Sequence, residues 1–101
     1  MSGTNPVREL MNQQIDHTLS IIHEIAAMHR NPTFDREHVG ITSEIDFMLG
    51  AVWASCFDYF IVEFHKRYGR RPTHEEHNES ILAVYERGQQ IKQTIIERLR
   101  L

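Results

Sequence analysis

Apolar residues recur every three to four positions along three stretches of the chain, and each recurrence predicts an amphipathic helix. In the first stretch Val7, Leu10, Met11, Ile15, Leu19, Ile22, Ile25 and Ala26 share one face, opposite Glu9, Asp16, Ser20 and Glu24. Asn5 followed by Pro6 opens this helix, because Asn accepts from free backbone N–H groups and proline has no donor to lose at the first helical position. Asn31-Pro32 closes it, giving a helix over 6–30. Thr18 and His29 fall in the middle of the apolar stripe, so each is expected to find a hydrogen-bond partner inside the protein. A short polar run, Thr33 to Gly40, reads as a connector of about one turn. The second helix is expected over 43–68, capped by Thr42 or Ser43 and ended by Gly69. The third spans 74–100, and its start is the sharpest boundary in the chain: Thr73 and Glu76 are spaced for a capping box.

The second helix departs from the usual one-sided pattern. From Phe47 to Val62 the only charged residue is Asp58, and apolar side chains point nearly all around the axis. A helix apolar on every side is a buried helix. Its bulky residues, Ile45, Leu49, Val52, Trp53, Cys56, Phe57, Phe60 and Phe64, read as the side turned to the domain's own core. Ala51, Ala54, Ser55 and Asp58 read as a small-residue surface for a close-packed partner. In the third helix His77, Ile81, Val84, Tyr85, Gly88, Ile91, Ile95 and Leu99 form the apolar stripe. Gly88 costs about 1 kcal/mol of helix propensity there, for which close helix contact is the expected compensation.

No stretch alternates with strand periodicity, so the fold class is all-α: one domain over 1–101, an antiparallel up-down-up three-helix unit. At 101 residues, such a chain buries only about two-thirds of the surface it exposes when unfolded. Two amphipathic helices are too few to shield the apolar second one, and the unit is expected to be completed as a helical bundle by homodimerisation. The interface residues expected are Ala51, Ala54, Ser55, Asp58 and Gly88. A membrane span is not expected, because the uninterrupted apolar stretch falls short of ~20 residues and Asp46, Asp58 and Glu63 would each cost ~2.5 to 3.5 kcal/mol near a bilayer centre. A single cysteine, Cys56, excludes an internal disulfide framework. With a polar N-terminal stretch unlike a secretory signal, it points to the cytoplasm.

Charge and histidine content add three candidate chemistries. The net charge of −3 is unevenly divided: Met1 to Phe64 carries three Arg against nine acids, or −6, and His65 to Leu101 eight bases against five acids, or +3. Lys66, Arg67, Arg70 and Arg71 crowd the turn before the third helix and are candidates for phosphate contact in a nucleic-acid-binding accessory protein. Seven histidines are many for this length. His65, His74 and His77 lie at one end of the antiparallel unit, where three imidazoles could hold a divalent metal. More specific metal signatures fail: His23-Glu24 lacks the second His at Ala27, and the one Glu-x-x-His-like spacing, Asp35 to His38, lies in a connector. Asp58 and His65, about 10 Å apart along one side of the second helix, are the nearest approach to an acid–base couple.

The functional expectation is a small non-enzymatic helical module that self-associates, as a dimer, and binds a protein partner in a regulatory or interaction role. No cofactor is predicted. Nucleic-acid binding through the 66–71 turn, and metal or small-ligand binding through the clustered histidines, are the alternatives.

Overall fold

The computed structural model describes residues 5–29 and 40–101. The expected connector, the Asn31-Pro32 stop and the Asp35 to His38 spacing lie outside the described residues. Within them the protein is all-helical, with five helices and no strand: α1 (Pro6–Ser20), α2 (Ile22–His29), α3 (Glu44–Tyr68), α4 (His74–Glu86) and α5 (Gly88–Leu99).

The five helices form three rods, because two of the expected helices are interrupted by single residues. Ile21 separates α1 from α2, and Arg87 separates α4 from α5, each with non-helical φ/ψ. The caps at the outer ends act as the side chains require. Asn5 accepts from the backbone N–H of Val7 and Arg8, and Ser43 accepts from Asp46. Thr73 and Glu76 complete both halves of a capping box, at 3.2 and 2.8 Å. Gly69 ends α3 at φ 70°, in the left-handed region that glycine enters without steric cost.

Cross-rod contacts fix the topology. His17 of α1 meets Tyr59 edge-on at 4.9 Å, and His29 of α2 meets Phe47, so the first and second rods are antiparallel. Arg8 binds Glu79 and Glu86, both at 2.6 Å, and Arg87 reaches Asp16 at 2.6 Å, so the first and third rods run together. The result is an up-down-up three-rod unit of 47 × 27 × 20 Å.

The core lies between α1, α2 and the inner side of α3, and is closed by α4 and α5. Leu10, Met11, Ile15, Ile22, Met48, Val52, Cys56, Phe60, Phe64, Val84, Ile91 and Ile95 are fully buried. Thr18 is buried with them and donates to the Gln14 carbonyl at 2.7 Å, while His29 Nδ1 lies 3.0 Å from the Ile25 carbonyl. Both polar groups on the first apolar stripe thus find local partners.

Two expectations about faces need correction. In α3 the core row is Met48, Val52, Cys56, Phe60 and Phe64, with Ala51 buried beside it, so Ala51 belongs to the core and not to an outer surface. Leu49, Trp53 and Phe57, expected inside, are only half-buried. The bulky side of this helix is wider than the single groove the other rods offer, and its edge stays outside. In the third rod Ser80, Ala83, Val84, Ile91 and Ile95 are buried, whereas Tyr85 is 61% exposed. Gly88 has open space where a Cβ would stand, so no close helix contact compensates for it. It opens α5 after the Arg87 break, where a helix has its end and a glycine costs less than inside.

Candidate functional site

The uncovered side of α3 is the feature that stands out from this architecture. Trp53 and Phe57 lie at its edge toward α4, where Trp53 meets Tyr85 at 5.6 Å between ring centroids and Phe57 meets His77 at 5.9 Å. These rings bridge the seam between α3 and α4 without sealing it. Tyr85, Leu82, Ile61 and Val62 remain 40 to 60% exposed or thereabouts, at 61, 41, 42 and 50%. The Trp53 indole N–H is buried without a hydrogen-bond partner, an arrangement that a fully packed core rarely retains. Across the outward side of α3, Gly50, Ala54 and Asp58 are all exposed, and Ser55 is half-buried with its hydroxyl donating to the Ala51 carbonyl at 2.9 Å. Of the five expected interface residues, Ala54 and Asp58 therefore stand on the open surface, Ser55 is half-buried, Ala51 is buried, and Gly88 is half-buried at the start of α5.

At the C-terminal end of α3 two shallow hollows open on this side. One, of about 350 Å³, is lined by Ile61, Arg71, Pro72 and His77. The other, of about 490 Å³, is lined by Ile61, Val62, His65, Lys66 and Arg71. Ile61 and Arg71 are common to both. His65 and His77 thus face separate hollows, with an aliphatic side chain and a guanidinium at the wall they share. His74 is exposed at the first position of α4. Among the described residues no group of three His, Cys, Asp or Glu side chains gathers as a metal-ligand set. His77 meets the Phe57 ring at a tilt, a contact that the spacing of the histidines alone could not reveal.

The basic turn is divided in the same way. Arg70 grips Glu76 with two N–H donors at 2.7 and 3.0 Å, and its guanidinium lies over the rings of Phe64 and Tyr68 at 5.1 and 5.8 Å. The Arg70 bond, joined by the Thr73 backbone N–H, holds the Glu76 carboxyl well below the carboxylate range, at about 2. Arg70 is therefore a strut that ties the turn to the start of α4, and not a free phosphate contact. Lys66 lies 3.3 Å from Glu63, while Arg67 and Arg71 are exposed.

Cys56 and the Asp58–His65 couple stand apart from these contacts. Cys56 is buried, and that burial pushes its thiol up, with Thr18 acting in the opposite sense. A thiol so placed is a poor nucleophile. Asp58 and His65 are both exposed on α3.

α3 is also the one helix among the described residues long and apolar enough to cross a membrane, with a mean hydropathy of 1.5 over its most apolar 18 residues, of which 28% are buried. The rest of that stretch is half-buried or exposed. Comparison with protein-family models, with curated proteins and with solved structures finds no match for the chain.

Proposed function

We propose that the protein is a small non-enzymatic interaction module that self-associates, forms a dimer, and presents a helical surface to a protein partner. The observation that carries this reading is the seam between α3 and α4, where Trp53 and Phe57 are half-buried, Tyr85 is exposed against Trp53, and Ile61 is exposed beside His77. Scattered surface apolar residues need no explanation, but a contiguous set rimmed by polar groups marks an interaction site. Aromatic residues at its centre and charges at its ends match the make-up of protein interfaces, whose middles lose charge and gain Trp, Tyr and Phe. Asp58 and Asp46 stand on the outward side of α3, where hydrated contact with protein suits them better than lipid.

Sedimentation velocity at micromolar concentration tests the proposal, and a dimer is the expected result. Ala54→Trp places a bulky ring on the exposed surface. It should shift the equilibrium to monomer while the circular dichroism of the helices stays unchanged. A wild-type chain that sediments as a monomer throughout that range rejects the self-association reading.

A further inference from the structure

The two hollows at the C-terminal end of α3 are built around one fixed arginine. Ile61 and His65, and beside them Val62 and Lys66, are four positions apart, so they stand in two adjacent columns on the last turns of the helix. Gly69 then ends α3 in the left-handed region, and Arg70 is held by Glu76 and by the rings of Phe64 and Tyr68. Arg71 follows directly. Pro72 has its own φ locked by its ring and disfavours helical backbone at Arg71. The backbone is thus restrained on both sides of Arg71, whose side chain lines both hollows.

Charge distinguishes this arginine from the others. Arg8, Arg70 and Arg87 are each bound to a carboxylate. Among the described residues Arg71 has no acidic partner, and no carboxylate lines either hollow. The acids nearest in sequence are engaged or marginal. Glu63 binds Lys66 at 3.3 Å and Glu76 binds Arg70. Glu75 is exposed in the first turn of α4, and Asp58 is exposed one turn before Val62, where it repels an anion from that side. A guanidinium does not lose its charge. One permanent, unpaired positive charge beside Ile61, Val62 and Pro72 suits a ligand with a single negative group on an apolar body.

We infer that the joined hollows bind an organic monocarboxylate with an aliphatic body, its carboxylate on Arg71 and its body on Ile61, Val62 and Pro72. A guanidinium offers a carboxylate two parallel N–H donors, which fixes the orientation of the ligand as well as its charge. The hollows, about 350 and 490 Å³, fall within the range of small-molecule sites, roughly 300–1,000 Å³. Their lining comes from a single copy of the chain, so the site does not depend on the self-association proposed above.

Titration of the full chain with octanoate, followed by amide chemical shifts, decides it. Saturable shifts are expected in the last turns of α3 and in the turn from Arg71 to the start of α4. Acetate keeps the charge without the body and 1-octanol keeps the body without the charge, and each should bind at least roughly tenfold more weakly. Arg71→Ala alters an exposed side chain and should weaken octanoate binding by roughly tenfold or more, with the helical circular dichroism unchanged. Arg67→Ala removes the same charge from an exposed residue outside both hollows and should leave the affinity unchanged. Equal losses in the two variants would mean diffuse attraction by the basic end of the helix and would overturn the inference. Acetate binding as tightly as octanoate, or no saturable shifts at all, overturns it too. Binding to phosphatidylglycerol vesicles with none to octanoate would assign the patch to a membrane surface and also overturn it. None of these results bears on dimerisation, which sedimentation reads separately.

Discussion

The two sides of α3 are built from similar residues and fare differently. On the inner side Met48, Val52, Cys56, Phe60 and Phe64 are fully buried against the first rod and the third. On the side toward α4, Leu49, Trp53, Phe57 and Ile61 are as apolar but range from half-buried to exposed. Composition does not separate these rows. Geometry does: the first rod lies along the inner row for its whole length, whereas α4 meets α3 chiefly through the Trp53–Tyr85 and Phe57–His77 ring contacts. Apolar character sets how much surface a helix must bury, and the number and placement of neighbouring rods set how much it can.

The contrast is broken most severely on the inner side. Phe60→Ala removes a fully buried ring that also meets Phe64 at 5.7 Å, and should cost about 3–5 kcal/mol of unfolding free energy in urea titrations. A loss below about 1 kcal/mol would show that the inner row is not the better packed of the two.

A smaller effect is expected where the rods are joined. Thr73→Ala deletes one half of the capping box and should cost about 1 kcal/mol. The other half is readable by pH. The Glu76 carboxyl is held at about 2, against an ordinary value of 4.5. A carboxyl lowered in this way contributes stability that is present in full above pH 4.5 and is lost as the pH falls toward 2. Hydrogen-exchange protection factors in the first turn of α4, with the intrinsic pH dependence of exchange divided out, should therefore fall across that interval, and Glu76→Gln should abolish that fall. An unchanged profile in the variant would assign it to other carboxylates.

The smallest effect belongs to the outer side. Ile61→Ser, one residue from Phe60, should change the stability of the dilute subunit by no more than about 0.5 kcal/mol, because Ile61 is 42% exposed. Its effect should fall on association instead, as a higher dimer dissociation constant in sedimentation equilibrium. A subunit destabilised as much as by Phe60→Ala would place Ile61 in the core and end the distinction between the two sides.

Much of the fold was legible in local chemistry. Asn5-Pro6, Ser43, Gly69 and the Thr73–Glu76 pair delimit helices because each satisfies or ends a backbone ladder within a few residues. The interruptions at Ile21 and Arg87 were not legible. Neither residue breaks helices by propensity, and Arg87 spans the gap to the first rod through Asn12 and Asp16, more than seventy positions away in sequence. The candidate sites divide along the same line. Ala54 and Asp58 stand outside as the wheel suggested. Ala51 went to the core, Arg70 was taken by Glu76, and His77 was turned onto Phe57.

By itself the sequence determined that this chain makes helices, where the caps at Asn5, Ser43, Gly69 and Thr73 begin or end them, and that its middle helix carries more apolar surface than an ordinary amphipathic one. Those properties depend on contacts within four residues, which the order of side chains sets directly. Which side of that helix is covered, which arginine stays free and where the histidines face were decided only when the rods packed. A side chain's exposure and partners depend on groups brought beside it from distant parts of the chain, and local periodicity is indifferent to which of two equally apolar rows a neighbour will meet.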